Sequence, residues 1–215
     1  MRFTLILPPI FALIVPTLAH AQSSGADDPP FMHVPASSTR RNGFTFGLST
    51  GASVVTSNAT PTAYAQRNDA YRVQIGPRIA PSFAPFIGFA LSDELSFTLS
   101  IEPQRITSGD VHITGTAFQF RFEAFPFVWL GETYRDLGIA PRFGLGSSRF
   151  TQISTGDSIA ASGTYSLVGV DFFWDALRSG SFALGPTVGF AYRFSDTMTE
   201  SDVLLGLRVA YYARP

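Results

Sequence analysis

The 215-residue chain is 45% hydrophobic and 14% charged, all 15 basic residues are arginine, the formal net charge is −1 and cysteine is absent. A soluble globular domain carries about 25% charged residues, and nucleic-acid-binding domains carry a basic surplus. These values argue against a nucleic-acid partner. They also exclude a disulfide framework, a zinc–thiolate site, a cysteine nucleophile and a lipoprotein anchor.

The N-terminal part predicts export. Arg2 supplies a positive charge, residues 3–18 form an apolar stretch, and Ala19-His20-Ala21 matches the small-residue cleavage pattern. Residues 1–21 are therefore predicted to be a signal peptide cleaved after Ala21. An uncleaved anchor is disfavoured because the apolar stretch is short and contains three prolines. Residues 22–42, rich in serine, alanine, proline and aspartate, predict a disordered periplasmic leader.

From residue 43 to residue 215, apolar residues alternate with small or polar ones at the two-residue period of β-strands. The apolar face of these segments carries no charge, and its only polar residues are Thr50 and Thr116. Eight strands are predicted: Phe44–Val54, Tyr71–Leu91, Leu95–Ile101, Thr116–Ala124, Leu137–Leu145, Val168–Trp174, Phe182–Phe194 and Val203–Tyr211.

The second of these segments is unusual in length and composition. A strand needs roughly 9–11 residues to cross a bilayer, so Tyr71–Leu91 either extends beyond the membrane or breaks at one of its prolines. Proline lacks the backbone N–H of a ladder bond. Five prolines nevertheless lie on the apolar register: Pro77, Pro81, Pro85, Pro141 and Pro186.

The opposite face of the same segments is small and polar and carries nine charges: Arg72, Arg78, Glu102, Arg121, Glu123, Arg142, Asp171, Arg193 and Arg208. An eight-stranded barrel has room for such side chains inside, but not for a face of phenylalanine, leucine and isoleucine. We therefore expect the apolar face to point toward lipid and the nine charges to form a network in the lumen. Glu102 and Glu123 are expected to pair with Arg121 and Arg142.

The predicted fold class is all-β, an eight-stranded antiparallel up-and-down transmembrane β-barrel. A soluble lipocalin-like barrel and a β-sandwich are the alternatives, but the sandwich would leave Gly- and Ala-rich faces in water with few charges. Short connectors alternate with longer ones, as periplasmic turns and extracellular loops do. The longer ones are predicted at Val55–Ala70, Thr107–Val111, Ser147–Gly163 and Ser195–Asp202.

The A-x-A signal, the eight amphipathic strands, the alternating loops and the Arg- and Glu-bearing interior resemble the small outer-membrane barrels of the OmpA/OmpX type. The resemblance covers residue 43 to the C-terminus and identifies no subfamily. It implies an outer-membrane location, outer-membrane lipid as a partner, and the barrel-insertion machinery as a partner during assembly.

Little in the sequence indicates chemistry, and we predict no catalytic, cofactor-binding or metal-binding residue. Ser108, Asp110 and His112 could suggest a hydrolase, but Ser-Gly-Asp is common in turns. Asp196 and Asp202 are predicted to lie in a solvated loop. The expected function is a structural or surface-interaction barrel with an unidentified extracellular ligand. The alternatives are a narrow small-solute channel, a lipid-modifying enzyme and a soluble periplasmic β-domain.

Overall fold

The computed structural model describes residues 40–60, 73–130 and 134–213. The predicted signal peptide, most of the predicted leader and Arg72 lie outside the described residues. Within them the chain forms ten strands: β1 Gly43–Ala59, β2 Val73–Ala90, β3 Leu95–Ser108, β4 Val111–Ala124, β5 Leu137–Gln152, β6 Ser158–Ala161, β7 Tyr165–Trp174, β8 Leu177–Ser179, β9 Phe182–Phe194 and β10 Met198–Tyr212. None of the described residues forms a helix long and apolar enough to cross a membrane.

Eight of these strands form a closed antiparallel barrel. They are hydrogen-bonded in the order β1, β2, β3, β4, β5, β7, β9, β10, and β10 pairs with β1 from Met198 to Tyr212. The short strands β6 and β8 pair only with β5 and β9. The predicted eight-stranded antiparallel barrel is therefore confirmed. The start of β1 and the end of β10 lie at one end, which we call the terminal end, and the other is the loop end.

The outer face of the barrel is an apolar belt. Phe118 is 62% exposed, Leu145 57% and Leu205 69%, and the same outward register is occupied on the other wall strands by exposed phenylalanine, isoleucine, leucine and valine. At the terminal end aromatic rings contact one another: the ring centroids of Phe46 and Tyr211 are 4.9 Å apart. An uncharged belt of this extent matches the lipid-facing surface of a transmembrane barrel.

An arginine in this belt is expected to be costly. Phe120→Arg and Val188→Arg should each lower the free energy of unfolding by about 2–4 kcal/mol, because each places a charge among acyl chains. Denaturant unfolding in lipid vesicles would measure the loss. Thr199→Arg, at an exposed position near the loop end of β10, is the control and should change little. Unchanged stability in both belt variants would show that these side chains do not face lipid.

At the loop end the wall strands continue beyond their predicted limits. β3 and β4 are joined by a two-residue turn at Gly109–Asp110, where Gly109 has φ 58°, so the longer connector predicted at Thr107–Val111 is wrong. β10 begins at Met198, which places Asp202 within a strand rather than in the predicted loop. The predicted register of β2 also fails at its start. Ile75 points inward and is 4% exposed, because the β1–β2 pairing shifts between Val55 and Ser57.

The prolines explain where ladders stop. The β2–β3 ladder covers only Phe86–Ala90 with Ser96–Ser100. The amide of Leu91 donates to the carbonyl of Leu95 (2.9 Å), so odd-numbered residues of β2 direct their backbone groups toward β3. If the β2–β3 ladder continued in the same register, three more pairs of residues would exchange backbone hydrogen bonds. Each of these pairs contains a proline: Pro85–Ile101, Phe83–Pro103 and Pro81–Arg105.

We call this part of the wall the β2–β3 seam, residues 79–85 of β2 and 101–107 of β3. At its upper limit Arg78 Nε donates a hydrogen bond to Ser108 Oγ (2.9 Å). The prolines of other strands also stand at interruptions. Pro141 lies in the gap of the β4–β5 ladder between Arg142 and Ile139, and Pro186 lies between the β7–β9 and β8–β9 ladders. The ladders are therefore interrupted where proline lacks the backbone N–H group that a ladder hydrogen bond requires.

Candidate functional site: the interior charge network

The interior of the barrel holds most of the buried charge. Among the described residues six arginines and seven carboxylates are buried. They come from every wall strand except β1 and β2 and from the segments at the terminal end. Charges removed from water are tolerated only when they are paired and hydrogen-bonded. Their partners therefore determine what the interior can do.

The middle of the lumen is organised around Arg193 of β9. Its guanidinium contacts three carboxylates: Glu102 at 3.1 Å, Glu200 at 2.7 Å and Asp202. Gln104 Nε2 donates a second hydrogen bond to Glu200 (2.5 Å). Because the arginine is 2% exposed, its charge is balanced by protein groups rather than by bulk water.

A second pair of arginines lies beside this centre. Arg121 of β4 bonds Asp171 of β7 (2.6 Å), and Arg142 of β5 approaches the same carboxylate (3.5 Å). Arg142 also lies 3.6 Å from Glu102 and donates to the amide oxygen of Gln119 (3.2 Å). These contacts connect four strands across the lumen, so the arginines act as cross-links rather than as a free cationic lining.

A separate cluster fills the terminal end. Arg208 of β10 is fully buried and bonds Glu123 (2.8 Å) and Asp175 (2.7 Å). The hydroxyl of Tyr212 accepts from Arg208 (3.1 Å) and donates to Asp175 (2.8 Å). The Arg208 guanidinium also lies 4.2 Å from the ring centre of Phe173. Every member of this cluster is thus held by at least one charge-assisted contact.

Arg41 closes the terminal end below this cluster. It is 0% exposed, its guanidinium lies 3.5 Å from the ring centre of Phe125, and it bonds Asp136. The amides of Arg40 and Arg41 both donate to Asp93 Oδ1, at 2.6 and 2.7 Å. The last residues of the predicted leader, where the structure describes them, therefore lie against the base of the barrel.

At the loop end the interior is apolar. Bulky side chains from the wall strands meet there with 0–4% exposure, and we call this group the apolar plug: Val55, Ile75, Ile106, Ile113, Phe150, Leu167 and Met198. Of these positions only Ile75 lay in the predicted outward register, and that prediction is wrong. The other six lie outside the predicted strands. The barrel extends above its lipid-facing belt, and there its interior packs as an ordinary hydrophobic core.

Interior aromatic rings fit because glycine stands opposite them. Phe86 pairs with Gly47 across the β1–β2 ladder, and Phe173 pairs with Gly138 across the β5–β7 ladder. A Cβ atom at either glycine would lie 2.3 Å from the partner ring. These rings in turn contact Arg208, so the glycines indirectly shape the terminal cluster.

The nine charges predicted for the lumen are placed as follows. The structure brings seven inside: Glu102, Arg121, Glu123, Arg142, Asp171, Arg193 and Arg208. Arg78 is exposed at the top of the β2–β3 seam, and Arg72 is not among the described residues. Of the expected pairs, Glu102 lies near Arg142, but Glu123 bonds Arg208 and Arg121 bonds Asp171 instead.

Six further buried charged groups were missed by the sequence reasoning: Arg41, Arg135, Asp136, Asp175, Glu200 and Asp202. Glu200 and Asp202 alternate with outward-facing residues of β10 just as the predicted lumen charges do, so extending that strand by a few residues would have found them. Arg41 and Asp175 stand outside any alternating segment and carried no such signal. The predicted lumen charges contained more arginines than carboxylates, and when these groups are added to the seven that lie inside, the arginines are no longer in excess.

The suggested Ser108–Asp110–His112 triad does not form. Ser108 accepts from Arg78, and His112 Nδ1 lies 2.9 Å from the hydroxyl of Thr107. Asp110 instead binds the β5–β6 loop, accepting from the amide (2.8 Å) and hydroxyl (2.5 Å) of Ser154. Asp110 therefore joins two loops. No group of three or more potential metal ligands occurs among the described residues.

Hydrogen bonds from Ser154 and then Gln152 lower the pKa of Asp110. A carboxyl whose folded-state pKa is depressed contributes stability above its ordinary pKa of about 4 and loses it as pH falls through the folded value. We expect protection of residues 152–157 from hydrogen exchange to stay constant between pH 8 and 5 and to fall only below about pH 4. Asp110→Asn should reduce this protection between pH 8 and 5 and should make little difference once the carboxyl of the original chain is protonated. Equal protection in both proteins would contradict the loop contact.

Comparison with known proteins gives similarities to solved structures alone. No protein-family model matches the chain, and no curated protein sequence is similar to it. Among solved structures it is similar to Ail, the attachment invasion locus protein of Yersinia pestis (10% identity, TM-score 0.48, 79% of this chain and 99% of that chain). It is also similar to Neisserial surface protein A (13%, 0.49, 79% and 99%) and to OprG from Pseudomonas aeruginosa (12%, 0.42, 80% and 98%). These likenesses specify no function for the chain.

The architecture of the chain defines its class of protein. A closed eight-stranded antiparallel barrel with an uncharged apolar belt and a filled polar interior is the architecture of the small outer-membrane β-barrels. The chain has this fold. The contacts of the interior network join strands to one another.

Proposed function

We propose that the chain is an outer-membrane barrel that anchors exposed loops for surface interaction and does not conduct solutes. In this proposal residues 1–21 are removed as a signal peptide, residues 22–42 precede the barrel in the periplasm, and residues 43–215 are inserted by the barrel-insertion machinery. The loop end faces the cell exterior, as the longer loops of such barrels do.

The observation that carries this proposal is the succession of filled layers along the lumen. The apolar plug occupies the loop end, ion-paired arginines occupy the middle, and Arg41 against Phe125 occupies the terminal end. A solute would have to separate all three. A conducting pore instead needs sites that bind a solute weakly enough to release it again. The filled lumen thus favours a structural anchor over the channel alternative.

Planar-bilayer recordings test the absence of conduction. The purified chain should give no stable conductance steps, whereas a general porin in the same bilayers should. Reproducible steps that disappear on changing Arg193 would show that the lumen opens and would replace the anchor with a channel.

Fractionation tests the location. The protein should remain in the outer membrane after carbonate washing and should migrate differently on gels without heating, because the apolar belt needs lipid. Recovery in the soluble periplasmic fraction would overturn the proposal.

The exported protein should begin at Gln22, because Ala19 and Ala21 meet the small-residue requirement for cleavage. N-terminal sequencing of the protein from outer membranes would establish the start. A different first residue would refute the proposed cleavage site without affecting the barrel.

A further inference from the structure

We propose that the outer face of β3, β4 and β5 binds a phosphorylated lipid of the outer leaflet, with an acyl chain in an apolar groove and the phosphate between Arg105 and Arg149. This inference rests on the proposed membrane location and adds a binding site to it. It is carried by three features of one surface: the register of the strands, two adjoining cavities, and two arginines without partners.

On β3, β4 and β5 the outward-facing side chains change from apolar to polar at the same level of the barrel, because the strand register aligns them in rows. Ile101, Phe118 and Leu145 are cross-strand neighbours and form the last apolar row. Four residues further along each strand, the corresponding row is Arg105, Thr114 and Arg149. Four residues of strand correspond to about 13 Å. The two rows are therefore spaced like the chain and the headgroup of one lipid molecule.

A groove of about 610 Å³ lies at the apolar row. Its walls come from four neighbouring strands and include Pro85, Leu99, Ile101, Phe118, Phe143 and Leu145. The groove forms where the β2–β3 ladder ends, since Pro85 and Ile101 are the first pair of the β2–β3 seam. A concave apolar surface within a lipid-facing belt suits an acyl chain.

A second cavity, of about 490 Å³, lies directly beyond the groove toward the loop end. Thr114, Thr116, Ser147 and Arg149 are among the residues that line it. Arg105 does not line it and adjoins it through Thr114, its partner across the β3–β4 ladder. Hydroxyls and a guanidinium supply hydrogen-bond donors that phosphate accepts. Thr116 and Ser147 occupy the row between the apolar row and the arginine row, so the two cavities are lined by successive rows of β4 and β5.

Arg105 and Arg149 differ from the arginines of the lumen. Both are exposed, and neither side chain has a hydrogen bond or an ion pair with any described residue. Two strand spacings separate them, about 9–10 Å, with Thr114 in between. Arginine side chains can converge across that distance, and the guanidinium group matches phosphate geometry. No carboxylate occupies the surrounding positions of these three rows, so the local charge complements an anion.

Lipid binding to the full mature chain in phosphatidylcholine vesicles tests the site. Bisphosphorylated lipid A and the same lipid with its phosphates removed are added in parallel, and retained lipid is measured by native mass spectrometry. The phosphorylated lipid should bind more tightly. In Arg105→Gln/Arg149→Gln its affinity should fall by at least about tenfold, because each lost charge-assisted contact corresponds to about tenfold in affinity.

Matched variants separate the two parts of the site. Arg78→Gln removes the same charge from the loop end outside the arginine row and should leave affinity unchanged. Leu145→Ala, in the groove, should weaken binding of both lipids, whereas Leu205→Ala, on the outward face of β10, should not. Unheated gel migration verifies that each variant is folded.

Each contrary outcome has a distinct meaning. Equal binding of the phosphorylated and dephosphorylated lipids, or an unaffected double arginine variant, overturns the phosphate site. Full competition by inorganic phosphate together with no effect of Leu145→Ala would show a simple anion site and overturn the lipid assignment. A chain that fails to insert into vesicles contradicts the proposed membrane function itself, whereas an inserted chain without lipid preference contradicts only this site.

Discussion

Replacing Arg208 with methionine is expected to lower the free energy of unfolding by about 3–5 kcal/mol. The change leaves the carboxylates of Glu123 and Asp175, which lie 2.8 and 2.7 Å from the guanidinium, without their arginine inside a closed barrel. Among the described residues Glu123 keeps only the neutral hydroxyl of Ser96 (2.9 Å). Asp175 keeps the hydroxyl of Tyr212 (2.8 Å) and the more distant Arg41 (3.9 Å). Denaturant unfolding in lipid vesicles, followed by tryptophan fluorescence, would measure the loss.

Two comparisons make this result specific. Arg78→Met, which removes an exposed arginine, should change stability by less than about 0.5 kcal/mol. Arg208→Met combined with Glu123→Gln should cost less than the sum of the two single changes, because the second removes the charge that the first leaves unpaired. Additive losses would show that Arg208 and Glu123 do not interact in the folded protein.

Arg193→Met should produce a loss of similar size, about 3–5 kcal/mol, in the middle of the lumen. Three carboxylates converge on this guanidinium, and without it Glu102, Glu200 and Asp202 repel one another in a confined space. The carboxylates should partly compensate by taking up protons. The loss should therefore be smaller at pH 4 than at pH 8, which equilibrium unfolding at the two pH values would show.

Arg193→Lys distinguishes charge from geometry. Lysine keeps the positive charge but cannot present several donors in fixed directions, so we expect an intermediate loss. Stability equal to that of the original chain in Arg193→Met, at both pH values, would mean that the three carboxylates are not held by this arginine.

The outward face of the barrel could be predicted because lipid imposes a simple rule. Every second residue must be apolar, and Phe118, Phe143 and Leu205 all obey it. The same rule failed at Ile75, where the strand has left the membrane and its interior becomes a hydrophobic core. Sequence alternation does not distinguish a residue that faces lipid from one that packs inside an extended barrel.

The partners within the lumen could not be predicted in the same way. Arg121 and Glu123 lie two residues apart on one strand, yet each bonds a more distant residue, Asp171 and Arg208. Long side chains in a narrow barrel reach across the lumen rather than along the wall. Which residues meet there depends on the stagger of the strands, and that stagger is not encoded in any single segment.

The β2–β3 seam has a consequence for the membrane around the protein. Beyond the groove residues Pro85 and Ile101, Pro103 and Pro81 leave the carbonyls of Phe83 and Arg105 without the amide that a complete ladder would supply. A carbonyl without a donor costs several kcal/mol in hydrocarbon, so these oxygens must be hydrated or bound by lipid headgroups. The bilayer should therefore be thinner and wetter beside β2 and β3 than beside β9 and β10, where the ladder is continuous from Phe194–Thr199 to Phe182–Tyr211. Fluorescent labels attached at positions 83 and 190 and quenched by spin-labelled lipids of known depth would reveal this asymmetry. Equal immersion of both labels would contradict it.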